Sequence, residues 1–291
     1  MTEPPSAPTS LACLQFEPEF GAVEANLAKL ALAAAEAVER GAEIVVAPEL
    51  CTTGYVFATR EEAMELADRP GSGGGVDALI ELAARHSIHL VAGFAERVGS
   101  RCYNSCLLSG PDGLLGIYRK VHLWDREALF FEPGDVGLPI FDLPQGRIAC
   151  MICYDAWFPE LWRAAALGGA DLVCLPTNWV PIPGQDPERG PMANLLCMTA
   201  AHQNGLWVAA ADRVGVERGQ PFIGSSLITA PTGWPVAGPA ATDREEILVG
   251  GADLGLARGC RSWGKFNHVL RDRRPEVYAM STRTALAEEA A

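Results

Sequence analysis

Apolar residues along the chain cluster in short runs, separated by polar turns and by longer stretches of helical spacing. The runs at residues 11–16, 43–47, 88–94, 148–152, 172–175 and 206–211 are too short for helices and predict buried strands. Residues 23–40 are Ala/Leu-rich, end at Gly41 and predict an amphipathic helix. Further helices are predicted at 76–86, at 159–167 with Pro159 in the first turn, and at 192–204 with Gly205 just beyond. Residues 102–108, the turn Pro111-Asp112-Gly113 and residues 114–118 form a hairpin pattern. Strands at 225–230 and 247–251, with the turn Pro231-Thr232-Gly233 between them, complete the reading. Helices alternate with strands but hairpins interrupt them, which points to α/β layers over two sheets.

Composition sharpens this. The chain has 291 residues, 49% hydrophobic and 20% charged, so it can bury a large core. Its length allows two domains. No repeat, linker or composition break divides it, so one domain is expected over 10–257, after a flexible start at 1–9. Residues 258–291, basic and aromatic before turning Ala/Glu-rich, read as a C-terminal extension. Lys and Arg number 23 against 36 Asp and Glu, a formal net charge of −13. Such a balance lacks the basic footprint of a nucleic-acid binder and opposes docking on an anionic membrane. No uncharged apolar run approaches the ~18 residues of a membrane span. Residues 1–10 carry no basic residue and no apolar stretch of an export signal, so a cytoplasmic location is expected. The nine cysteines, an odd number falling mostly in apolar runs, read as free thiols in a reducing compartment.

Three apolar strands run directly into a reactive side chain. Glu49 follows IVVAP, Lys120 follows LLGIYR and Cys153 follows IACMI. Sites in α/β sheets collect beyond the carboxyl ends of strands. Taken singly, the three read as a loop carboxylate, a surface charge and a core thiol. Together they suit acyl transfer: a thiolate attacks, a carboxylate moves protons and a cation holds the oxyanion. A neighbouring lysine is also expected to lower the thiol pKa. Tyr55, Trp124, Trp157 and Trp179 lie near these segments and are expected to line an apolar pocket, with Asn178 hydrogen-bonding the substrate.

Rival patterns are weaker. Gly71-Ser72-Gly73-Gly74-Gly75 lacks the spacing of a phosphate loop and reads as a turn. Cys150 and Cys153 form a CxxC, but three residues apart on a strand they face opposite ways. Cys102 and Cys106 share a strand face without partners for a zinc set. His86, His89, His122, His202 and His268 leave a Cys–His pair open; His122, two residues from Lys120, reads as a packing or supporting residue. No metal and no cofactor are expected.

The ordered motifs resemble the nitrilase (carbon–nitrogen hydrolase) superfamily. Ala47-Pro48-Glu49-Leu50 with Thr53-Gly54-Tyr55 is similar to its first motif. Tyr118-Arg119-Lys120-Val121-His122-Leu123 is similar to its second, and Ile152-Cys153-Tyr154-Asp155 with Phe158-Pro159-Glu160 to its third. Gly41-Ala42, Pro133-Gly134-Asp135, Gly169-Ala170-Asp171 with Pro176, Asn204-Gly205, Gly224-Ser225-Ser226 and Pro231-Thr232-Gly233 also fit. The likeness spans residues 10–278 in order.

This resemblance implies Cys153 as nucleophile, Glu49 as general base and Lys120 as stabiliser of the tetrahedral intermediate. It also implies a second active-site glutamate, seven residues before the Gly of Pro133-Gly134. That spacing selects Glu127 over Glu132. The Tyr154 N–H would share the oxyanion. The implied fold is a four-layer α-β-β-α sandwich. The implied assembly is a homodimer or larger, with Trp263, Phe266 and Tyr278 of the extension as apolar anchors. The implied partner is a small amide-type molecule. Members often read Arg-Ala-x-Glu-Asn where this chain has Ala200-Ala201-His202-Gln203-Asn204, which removes an ion pair from the helix. Nitrile-cleaving members usually have Trp after the nucleophile; Tyr154 here resembles amidase and carbamoylase branches. An N-carbamoyl amino acid would need a cation such as Arg163. The expectation is thus an amidase acting on an uncharged or aromatic carboxamide, with carbamoyl hydrolase, nitrilase or an inactive scaffold relative as alternatives.

Overall fold

A computed structural model describes residues 8–186 and 189–278. Its first sheet contains β1 (Thr9–Gln15), β2 (Ile44–Val46), β3 (His89–Val98), β4 (Arg101–Gly110), β5 (Gly113–Arg119) and β14 (Glu246–Ala252), in the order β14-β1-β2-β3-β4-β5. The second contains β6 (Ile140–Leu143), β7 (Gly146–Cys150), β8 (Leu172–Pro176), β9 (Trp207–Ala211), β12 (Leu227–Thr229) and β13 (Pro235–Ala237), in the order β13-β12-β9-β8-β7-β6. Each sheet has three central parallel strands, β1-β2-β3 and β7-β8-β9, with antiparallel strands outside. A small ladder pairs β10 (Val216–Glu217) with β11 (Gln220–Pro221).

Side-chain alternation along the strands builds the layers. On β1, Leu11 and Cys13 face the second sheet, in one cluster with Ile148, Cys150 and Cys174. Ala12 and Leu14 face the other way, against Leu30 and Ala34 of α1 (Val23–Glu39) and Leu79 and Ala83 of α3 (Gly75–His86). Beyond the second sheet lie α4 (Pro159–Leu167) and α5 (Met192–Asn204), which bury Trp162, Ala165, Cys197 and Ala201 against it. The result is the expected four-layer α-β-β-α sandwich. The remaining helices are short: α2 (Arg60–Leu66), α6 (Leu256–Gly259) and α7 (Pro275–Tyr278). Among the described residues, no helix is long and apolar enough to cross a membrane.

Differences from the sequence reading have local causes. The strand expected at 225–230 is confined to β12, because Gly224 and Ser225 take φ of 59° and 63° and turn the chain. The polar α2 and the short outer strands β6 and β13 carry too little apolar periodicity to be predicted. α2 is set by its cap instead: the Thr59 side chain accepts from Glu62 N. The glycine-rich turn before α3 is filled by the protein's own carboxylates. Asp77 accepts from Gly71 N and Gly73 N, and Asp68 from Val76 N. In the altered stretch of α5, Asn204 Nδ2 bonds Ala200 O, and Arg163 reaches Gln203 O from α4. Trp263, Phe266 and Tyr278 are exposed in the single chain. Residues 279–291 of the expected extension lie outside the described residues.

Candidate active site

Each predicted reactive residue stands where a strand stops. β2 ends at Val46, and Pro48 cannot donate a ladder hydrogen bond, so the chain leaves the sheet and carries Glu49 into the interior. Leu50 then takes a φ of 48°. The loop presses on β3 so closely that a Cβ at Gly93 would lie 2.5 Å from Glu49 Cα and 2.7 Å from Pro48 O. Lys120 follows β5. Its backbone N donates to Asn104 O and its carbonyl accepts from Gly134 N, both at 2.8 Å. Cys153 opens the 3-10 turn Cys153–Trp157 with a φ of 45°. A non-glycine residue at positive φ carries strain and marks a constrained site. Asp155 holds this turn, accepting from Ile152 N, His122 N and the Tyr118 hydroxyl.

These residues converge on a buried chain of charges. Lys120 Nζ lies 2.6 Å from Glu49 Oε1 and 2.7 Å from Glu127 Oε1. Glu127 sits on the 3-10 turn Asp125–Leu129 and also accepts from the Tyr55 hydroxyl at 2.6 Å and Trp124 N at 3.1 Å. Glu132, the alternative, is half-exposed and pairs with Arg60. Asn104 Nδ2 donates to Glu49 Oε1 at 2.7 Å. Glu49 Oε2 is buried without a partner in the protein.

Burial raises Glu49 from the ordinary 4.5 to about 7, with Lys120 opposing and Glu127 reinforcing the rise. For Lys120, burial works against the charge, yet Glu127 and Glu49 more than offset it and keep the ammonium above the usual lysine range. Burial and the Glu49 charge push the Cys153 thiol well above its ordinary value, against the pull of Lys120. This corrects the expectation of a lysine-lowered thiol. Burial and the Glu49 charge outweigh Lys120 at the thiol.

Cys153 opens onto a narrow cleft lined by Trp124, Tyr154, Trp157, Asn178, Trp179, Val180 and Ile182. Of the expected pocket residues, Tyr55 alone is not among these; its hydroxyl braces Glu127 instead. Arg163 also points elsewhere, donating to Val269 O and Gln203 O. His122 Nδ1 is 2.8 Å from Asp155 Oδ1, and its ring stacks on Phe158. Among the described residues, no group of three or more His, Cys, Asp or Glu side chains is arranged to hold a metal.

Three supporting residues were not anticipated. Asn104 is a buried polar residue on the strand face that also carries Cys102, Cys106 and Leu108, a break in pattern that marks it. Asp212 follows β9 as Glu49 follows β2, and accepts from Trp179 N and Arg213 N at 2.9 Å each. Burial holds this carboxyl well above the usual carboxylate range, with the two N–H groups opposing. Glu217 pairs with Arg213 and accepts from Tyr55 N and Val56 N, which fixes the loop that presents Tyr55.

The site's composition agrees with the chain's relatives. Residues 10–262 match the carbon–nitrogen hydrolase family. A nitrilase of Pyrococcus abyssi is 40% identical over 268 residues, covering 92% of this chain and 98% of that protein. The N-carbamoylputrescine amidase of Arabidopsis thaliana is 33% identical, covering 88% and 89%. The crystal structure of an amidase from Nesterenkonia sp. aligns with a TM-score of 0.77 at 26% identity, over 94% of this chain and 96% of that one. A mutant of that amidase shows Michael addition of acrylamide at its active-site cysteine. The chain therefore belongs to the carbon–nitrogen hydrolase family of the nitrilase superfamily, and it is a hydrolase of carbon–nitrogen bonds other than peptide bonds.

Proposed function

We propose that the enzyme is a cysteine-dependent amidase that converts a small neutral carboxamide to a carboxylic acid and ammonia. The observation that carries this reading is Cys153, which opens on the cleft and lies within the fields of the buried Glu49–Lys120–Glu127 chain. The Cys153 thiol adds to the carbonyl carbon as its proton passes to Glu49. The oxyanion is held by Lys120 and the Tyr154 N–H. The tetrahedral intermediate collapses, the C–N bond breaks, and ammonia leaves with the proton from Glu49. Glu49 then deprotonates a water, which attacks the thioester and releases the acid and the thiol. Glu127 keeps Lys120 charged and in place.

Trp124, Tyr154, Trp157, Trp179, Val180 and Ile182 offer an acyl group apolar and aromatic contact, and none of them is a charged partner for a substrate carboxylate. N-carbamoyl amines are the second reading, favoured by the resemblance to the plant amidase over most of both chains. The test is ammonia release over carboxamides, N-carbamoyl compounds and nitriles, with C153A as control. Turnover of carboxamides that C153A abolishes supports the reading; turnover of nitriles alone, or retained activity in C153A, overturns it.

A cytoplasmic location belongs to this reading, supported by nine unpaired cysteines. So does a homodimer that covers the exposed Trp263, Phe266 and Tyr278. Gel filtration of a chain truncated at 257 tests it, an unchanged size counting against it.

A further inference from the structure

Asn178 follows β8 and lines the cleft beside Cys153. Its Nδ2 donates to the backbone oxygen of Glu49 at 2.9 Å. A carbonyl oxygen only accepts, so the amide nitrogen must face Glu49 and Oδ1 must face away from it. Oδ1 is buried and has no partner in the protein. The adjoining backbone is fixed as well. Trp179 N is held by Asp212 Oδ1, and Asp212 N donates to Ser226 Oγ at 2.8 Å. Asn178 therefore cannot turn to satisfy Oδ1 without giving up its bond to Glu49.

A buried acceptor without a donor is costly unless a ligand supplies one. The –NH2 of a carboxamide or ureido group supplies it. A nitrile nitrogen has no hydrogen to give, nor has the leaving oxygen of an aryl ester. We propose that Asn178 is a specificity-determining residue whose Oδ1 accepts from the scissile –NH2 and selects carboxamides and ureido compounds over nitriles of the same acyl chain. The inference rests on the reading of Cys153 as nucleophile and names the substrate class that this site takes. It predicts amide preference even though a 40%-identical relative is a nitrilase.

The test compares butyramide, butyronitrile and p-nitrophenyl butyrate, which deliver related four-carbon acyl groups to one thiol. In the wild-type enzyme, kcat/KM for butyronitrile is expected to lie at least about tenfold below that for butyramide. A nitrile value equal to or above the amide value overturns the proposal. In N178L, which lacks the acceptor, the butyramide-to-ester ratio of kcat/KM is expected to fall about tenfold or more. An unchanged ratio overturns it. The ratio is taken within one preparation, so partial loss of folded enzyme cancels; where N178L yields no folded protein, N178A supplies the ratio. C153A separates the two layers of inference. Amide or ester turnover that survives in C153A defeats the nucleophile assignment, whereas a normal C153A loss with an unchanged N178L ratio defeats only the role of Asn178.

Discussion

Lys120 Nζ and Glu49 Oε1 stand 2.6 Å apart with no solvent reaching either side chain. With Glu127 on its other side, the ammonium serves two carboxylates at once. Its pull on the Cys153 proton is outweighed by burial and the Glu49 charge, which together push the thiol well above its ordinary range. On the proposed mechanism, proton transfer to Glu49 and attack on the carbon are coupled, and the burden falls on Glu49 as base.

Substitution of that base gives the first prediction. E49Q preserves the shape of the side chain and removes its basicity, so kcat/KM for carboxamides is expected to drop by about 10²–10⁴-fold. The drop also has a pH signature. The folded chain holds the Glu49 proton up to about pH 7, whereas an ordinary carboxyl releases it near 4.5. Between these values the native state binds more protons than the unfolded chain. The stabilising contribution is full below about pH 4.5 and is lost as pH rises through about 7. Activity moves the other way, rising through an acid limb near pH 7 as the base form appears. Urea unfolding and rate profiles from pH 4 to 8 check both, and an identical pH dependence of stability in E49Q would refute the assignment.

Removing the cation should cost stability as well as rate. K120M leaves Glu49 and Glu127 facing each other without compensation, in a setting where breaking a buried pair costs about 3–5 kcal/mol. Chemical denaturation at pH 8 measures this, and a loss below about 1 kcal/mol would show that the charges are solvated in a way their burial does not suggest.

Gly93 is a test of positioning without chemistry. A methyl group there collides with Glu49 Cα and Leu50 N and must push the base out of line. Overpacking costs about 1–3 kcal/mol, but a shift of about 1 Å in a reacting group costs about a hundredfold in rate. G93A is expected to stay folded by circular dichroism and to lose far more activity than stability. Equal losses would mean that the loop tolerates the displacement.

Tyr55 touches Glu127 and does not line the cleft. Y55F removes a 2.6 Å hydrogen bond to a charged oxygen, an interaction of about 1.5–3 kcal/mol. The expected result is a fall in kcat of about tenfold or more with KM little changed. A rise in KM alone would place the ring in the substrate pocket.

The candidate reactive residues are more legible in the sequence than the residues that support them. Glu49, Lys120 and Cys153 stand out because each ends an apolar run, and two packed sheets collect such ends at one edge. Asp212 obeys the same rule after β9, yet a lone carboxylate after a strand has no visible partner until Trp179 is brought beside it. Asn104 depends on which face of β4 is buried. The tie from Glu217 to the Tyr55 loop spans about 160 residues, and no local pattern reports a contact of that range. Arg163, the cation that an N-carbamoyl amino acid would require, turns its guanidinium to the carbonyls of Gln203 and Val269, in keeping with the uncharged carboxamide expected from the sequence.

The candidate reactive residues are divided between two separately hydrogen-bonded sheets. Glu49 and Lys120 hang from the first; Cys153, Asn178 and Asp212 hang from the second. Hydrogen bonds that cross the seam at or near this end include Asn178 to Glu49, Tyr118 to Asp155, and Ser226 to Gln15. Neither sheet carries the whole candidate set, and β14, which follows the second sheet in the chain, returns to close the first sheet beside β1, so the chain itself ties the two layers in register. Turnover thus measures the alignment of the layers, and heating should extinguish it when the sheets begin to slide, while their strands are still intact.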